Sequence, residues 1–269
     1  MTLTRRSLLA VYALLVMVPL LVVLFGTFKS TKEIFASPFA PPAQPTFEHY
    51  ARLFAEGGIG QAFGNSVTVT GLSVSLTLTL AALVSFAITR LPGWRGYVLY
   101  GLFSLGMAVP AQANMIPQYV MFHSMGLTDT LLGLVIVQTA VTLPVAVFIL
   151  AGFMMTLPRT LFEAASLDGA GQWMQFRRIA LPLSAPSLAA TAIFLFVMHW
   201  NELLYPLLFI QDDSLQTLPL RLLGFKGEYS TDYPLLFSGV VIASMPMVVA
   251  YVALQRYFVA GMTAGATKG

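Results

Sequence analysis

The sequence predicts an all-α membrane protein with six helical spans and both termini in the cytoplasm. Three observations lead there. Of the 269 residues, 57% are apolar and only 9% charged, where a soluble domain carries about 25% charged residues. The mean hydropathy is +0.80, and so few charges cannot cover a water-facing surface. The apolar residues also fall into segments near the roughly 20 residues that cross a bilayer, with room for five to seven. Finally, Lys and Arg gather in alternate connecting segments, as they do in polytopic proteins.

The first span is 8–28. Its apolar run is longer than the roughly 7–15 residues of a secretory signal. Arg5-Arg6 ahead of it also fits a twin-arginine signal, but several more spans follow, so an uncleaved helix is expected. Residues 29–61 are polar and carry Pro38, Pro41, Pro42 and Pro45, which reads as a loop in water. The second span, 63–89, is rich in Ser and Thr, residues that let helices approach and bond across their interface. Alternation in 67–80 also suits a strand, but the segment's length and its neighbours speak against a barrel. Arg90-Leu-Pro-Gly-Trp-Arg95 is a basic turn. Further spans are expected at 97–112, 131–155, 183–209 and 235–258, with a cytoplasmic loop at 156–182 and a cytoplasmic tail at 259–269.

Charge orients this arrangement. With the N-terminus inside, the inner segments hold Arg5, Arg6, Arg90, Arg95, Arg159, Arg177, Arg178, Arg256 and Lys268 against Glu163 and Asp168. The outer segments hold Lys29, Lys32, Arg52, Arg221 and Lys226 among most of the acids. The net charge of +3 and pI near 9.2 therefore describe a membrane protein's inner face, and no nucleic-acid partner is expected. With no cysteine, disulfides and thiolate chemistry are excluded.

The loop 156–182 reads as a short helix, a turn and a second helix. Pro158 suits a first helical position, and Asp168-Gly169 suits a helix end that needs positive φ. Trp173, Phe176 and Ile179-Ala180 recur at helical spacing. By these features alone the loop is either a plain amphipathic connector or a docking element. Its spacing runs Glu163-Ala164-Ala165, three residues, Gly169, nine residues, Ile179, one residue, Leu181-Pro182, with Asp168 and Ala170 beside the glycine. This resembles the EAA loop of permease subunits of ATP-binding-cassette importers. Arg90-Leu-Pro-Gly, Pro117-Gln-Tyr, Gly126-Leu-Thr-Asp-Thr130, Trp200-Asn-Glu202 and the tail from Phe258 extend the likeness to the smaller permease of the maltose and glycerol-3-phosphate importer type.

The resemblance implies a second, different permease, a dimer of ATPases that bind ATP and Mg, an external solute-binding protein and a sugar, with a di- or oligosaccharide as the expectation, in a bacterial or archaeal cytoplasmic membrane. It also implies that Glu163–Gln172 docks in a cleft of the ATPase, and that Thr263, Gly265 and Lys268 reach the ATPase from a tail that otherwise reads as a frayed end. The chain itself has no phosphate-cradling G-x-x-x-x-G-K-[ST] loop and no nucleophile or zinc motif, so no enzyme activity, cofactor or metal is expected of it.

Glu202 is the one charged residue expected inside a span, which by default points to function. It reads either as a solute-path group with Asn201 or as a structural partner. Asn114 and Gln138, near helix-breaking prolines, are the other path candidates. An ion-gradient-driven secondary transporter is the alternative function. It is disfavoured because no internal repeat is visible and Glu202 is the only charge expected at membrane depth.

Overall fold

The computed structural model describes residues 3–55, 57–227 and 231–266, with residues 3 and 253–266 by backbone alone. It is about 79% helical. The only strand-like pairing among the described residues is an isolated bridge between Lys226 and Thr231. In chain order the helices are α1 (Leu3–Gly26), α2 (Thr31–Ala36), α3 (Glu48–Ala55), α4 (Ile59–Arg90), α5 (Trp94–Ala108), α6 (Met115–Ser124), α7 (Leu131–Met154), α8 (Arg159–Leu167), α9 (Gln172–Gln175), α10 (Leu181–Leu183), α11 (Ala185–Trp200), α12 (Leu204–Phe209), α13 (Leu218–Leu223) and α14 (Tyr233–Ala266). Among the described residues, α1, α4, α7 and α14 are each long and apolar enough to cross a membrane. A fifth candidate is the pair Gln172–Leu183 and Ala185–Trp200, bent by 73°.

Two expected spans are interrupted. The segment 97–112 is not one helix. α5 stops at Ala108, and Pro110, which has no N–H to donate, opens a 3₁₀ turn (Ala111–Asn114) that leads into α6. The segment 183–209 breaks at Asn201–Leu203 between α11 and α12. Residues 29–61 are loop only in part, since α2 and α3 lie within them.

The chain forms two compact units, residues 1–65 with 216–248 and residues 66–215 with 249–269. In the first, α1 leaves its apolar surface open from residue 4 to residue 21 and is partly covered over its last turn, where Gly26 is buried. Lys29, expected as an exposed loop charge, is only 1% exposed. Its ammonium donates to the carbonyls of Ser37 (2.7 Å) and Ala40 (2.5 Å). A buried cation has to be hydrogen-bonded to be tolerated, and these contacts curl the Ser30–Ala40 segment around it. Ser30 caps α2 through the Glu33 N–H, and Arg52 pairs with Asp232 at 3.6 Å.

The second unit is built around α7, the most buried of its helices. The Ser73 hydroxyl donates to the Val135 carbonyl and the Ser85 hydroxyl to that of Val147, so α4 and α7 run parallel. The chain between them must therefore cross back. α5 makes that return beside α7, with Tyr100 stacked on Phe148 and Gly106 against Pro144. α11 is also antiparallel to α7, because Thr142 meets His199 while Asp129 meets Gln211. These directions sort the charges of 66–215 by end. Arg90, Arg95, Arg159, Arg177 and Arg178 lie at one end, with Glu163 and Asp168. Asp129, Glu202, Asp212 and Asp213 lie at the other.

Candidate functional site

At the arginine-rich end α8 and α9 form the helix–turn–helix that the sequence predicts. The turn closes by a Schellman arrangement, in which the Ala170 N–H donates to the Ala165 carbonyl at 2.8 Å and the Gly169 N–H to that of Ser166 at 3.1 Å. Gly169 carries the reversal at φ +79°, a region in which a side chain is strained. A Cβ built there would meet no atom within 4 Å. The glycine is thus required by the turn and not by crowding within this chain.

The motif positions separate by burial. Glu163, Ala164, Asp168 and Gly169 are exposed, and Ala165 and Ala170 half-buried. Ile179 and Leu181 pack against the core, and Pro182 closes the segment, exposed. Pro182 cannot donate back along the helix, and the ladder ahead of it widens to a π turn over Phe176–Ala180.

Side chains that the motif does not name hold this loop in place. Gln175, 2% exposed, donates from Nε2 to Ser166 Oγ and to the Ala170 carbonyl, both at 2.9 Å. Ser166 in turn donates to the Phe162 carbonyl. Phe162 and Phe176 are buried around Phe86 of α4, and the Arg90 guanidinium lies 3.6 Å over the Phe162 ring. These residues join one core with Leu150 and Met154 of α7 and Leu195 of α11, so the loop and three long helices share their packing. The sequence offered one faint sign of Gln175, a lone amide among the apolar positions of 173–180. At the tip, Leu167 is 91% exposed, an apolar side chain beside Glu163 and Asp168 that sequence reading passed over.

The four path candidates divide. Gln138 and Glu202 line one small cavity of about 90 Å³, with Gln112, Thr142, His199 and Tyr205. Asn114 and Asn201 are not among its lining residues. The Asn201 side-chain amide donates to the carbonyl of Val197, at 2.8 Å. Asn114 sits at the start of α6 without capping it. Glu202 Oε1 accepts from the backbone N–H of Leu204 (2.8 Å) and Tyr205 (3.3 Å). Its carboxylate therefore caps α12 where the apolar segment breaks. Behind it Thr142 Oγ1 lies 3.3 Å from His199 Nε2 and 3.5 Å from Thr77 Oγ1, and donates to the Gln138 carbonyl. The Gln138 amide oxygen is buried without a partner among the described residues. No lining residue of this cavity is Lys or Arg. His123 pairs with the Thr128 hydroxyl and stacks on Tyr119. Among the described residues no cluster has the make-up of a metal site. Of the tail candidates, Lys268 lies outside the described residues, and Thr263 and Gly265 belong to the backbone-only end of α14.

Residues 77–264 match the family described as binding-protein-dependent transport system inner membrane component. The chain is 34% identical to the diacetylchitobiose uptake system permease protein NgcG of Streptomyces coelicolor, over 97% of this chain and 87% of that one. It is 35% identical to the multiple sugar-binding transport system permease protein MsmG of Streptococcus mutans, over 98% and 96%. It shares its fold with a chain of a crystal structure of a bacterial ABC transporter involved in import of the acidic polysaccharide alginate, at TM-score 0.84 and 19% identity, covering 95% of each.

Proposed function

The chain belongs to the family of binding-protein-dependent transport system inner membrane components, and on that premise we propose that it forms half of the path of an ATP-driven sugar importer. Its partners are a second, different permease, two ATPase subunits that bind ATP and Mg, and an external binding protein that delivers the solute. The chain hydrolyses nothing. The observation that carries the reading is the exposed edge of α8 and its turn, Glu163–Gly169, on a base packed into α4, α7 and α11. A rigid base lets closure of an ATPase pair reach the spans as body motion, since close-packed interiors transmit displacement.

The orientation follows. Cations favour the cytoplasmic face, and every arginine of 66–215 lies at the end that bears the loop, which supports cytoplasmic termini and six crossings. The interrupted segment 91–124 makes the third crossing and α11 with α12 the fifth. Broken helices are tolerated at membrane depth where protein or water covers them.

The solute reading is a neutral sugar of two or more units. NgcG, named for diacetylchitobiose uptake, and the melibiose/raffinose/stachyose import permease MelC of Bacillus subtilis carry such sugars in their names. The cavity at Gln138 and Glu202 offers amide, hydroxyl and imidazole groups and no cation that would favour an anionic solute.

The test is to purify the tagged chain from its native membrane in mild detergent and identify by mass spectrometry what comes with it. An ATPase and a second permease are expected. A cysteine at Glu163 should crosslink to the ATPase. Recovery of the chain alone, with no crosslink, sinks the importer reading and favours the ion-driven alternative.

A further inference from the structure

A cavity of about 580 Å³ lies within the second unit beside the docking loop, within the roughly 300–1,000 Å³ of small-molecule sites. It opens between the turn joining α4 to α5 and the first turn of α8. Arg90 and Arg159 both line it, with Glu163 as the one carboxylate, so its formal charge is +1. Among the described residues neither arginine is ion-paired. Phe162 and Phe86 hold the Arg90 guanidinium from its ring faces, at 3.6 and 5.3 Å. Its Nε–H is buried without an acceptor among the described residues, whereas its terminal N–H groups are not closed off and can reach a ligand in the cavity.

A planar guanidinium with free N–H groups matches a phosphate better than a point ligand, because it offers parallel charge-assisted bonds. The rest of the wall selects the source. Leu91, Met155 and Tyr97 (74% exposed) line the same cavity. A free ion has no use for an apolar rim with an interfacial tyrosine, whereas a phospholipid does.

We propose that this cavity binds the phosphate group of an anionic phospholipid from the adjoining leaflet, seated against Arg90 and Arg159 under the docking loop. The inference rests on the cytoplasmic placement of this end proposed above. A bound headgroup accepts from the terminal N–H groups of Arg90, offsets two neighbouring cations and braces the α4–α5 turn against α8.

The test uses the purified importer complex, delipidated and titrated with phosphatidylglycerol or phosphatidylcholine, with retained lipid counted by native mass spectrometry. Arg159→Gln is the main variant, because Arg159 is exposed and carries no hydrogen bond among the described residues. Arg90→Lys keeps charge and removes the planar fork. The native complex should hold phosphatidylglycerol in preference to phosphatidylcholine. Arg159→Gln should lower that retention about fivefold, the effect of one cation beside an anionic lipid, while the ATPase stays bound. Release of the lipid by millimolar inorganic phosphate would keep the phosphate chemistry and assign a soluble source. Equal retention of the two lipids, equal retention by native and Arg159→Gln complexes, or no retention at all would overturn the site, the last in favour of a partner carboxylate. Loss of the ATPase from the native preparation would instead count against the importer reading, and the lipid count is read on the purified particle in either case.

Discussion

Gly169 allows two reasons for a glycine to be separated by experiment. One is the turn, which needs φ +79°. The other is clearance for a docking partner. Within the chain a Cβ meets nothing within 4 Å, so any cost in the isolated subunit is conformational. A residue with a Cβ loses about 1–2 kcal/mol in the left-handed region, and asparagine is the side chain that visits it most readily. That penalty opens the closed turn by a factor of about 5–30. The series Gly169→Asn, Gly169→Ala and Gly169→Val therefore runs against size, since asparagine is larger than alanine. If the turn sets coupling, asparagine should retain the most transport per ATP hydrolysed, alanine should lose most of it, and valine should be worst. The assay is solute-stimulated ATPase against uptake in proteoliposomes with the binding protein present. Hydrogen exchange at the N–H groups of residues 169 and 170, which close the turn, provides a second readout. A ranking with alanine above asparagine would refute the turn argument and leave clearance. Equal coupling in all three would remove Gly169 from the docking element.

Gln175→Leu keeps the volume but removes both Nε2 donations. It leaves the Ala170 carbonyl short of a partner, so the loop should lose about 2–3 kcal/mol, read as faster exchange over 164–175 with the spans unaffected. Glu202→Gln keeps an acceptor for the N–H groups of Leu204 and Tyr205 and should transport normally. Glu202→Ala loses the cap, at about 0.5–2 kcal/mol, and should lower complex yield. Loss of transport in Glu202→Gln with normal assembly would place the charge on the solute path instead. Lys29→Met strips the carbonyls of Ser37 and Ala40 of their shared donor at about 1–3 kcal/mol each, and should lower the midpoint of thermal inactivation. An unchanged midpoint would show that the 30–40 segment does not depend on the ammonium.

The legible part of the site was the part that repeats a local rule. A positive-φ residue after a short helix is encoded by Asp168-Gly169 and needs no long-range partner. The motif spacing around it runs along one stretch of chain. Gln175 was not legible as a clamp, because its acceptors are Ser166 and Ala170, and only the folded turn brings them together. Glu202 was visible as a charge in an apolar segment. Its action as a cap depends on the break at Asn201–Leu203, and apolar composition on either side hides that break. Thr142 and His199 meet across two helices 57 positions apart, with no periodic signal to join them.

By itself the sequence determined the all-α membrane character, the alternation of basic and acidic connections and the helix–turn–helix that bears the motif. Each rests on composition or on contacts within a few residues, and the bilayer forces helices wherever apolar length suffices. The tertiary structure alone decided that α4 and α7 run parallel and that the loop shares a core with three long helices. It also decided that Lys29 is buried and that Arg90 and Arg159 face one cavity. These facts depend on which helix faces which, and that is set by side-chain packing among segments dozens of residues apart.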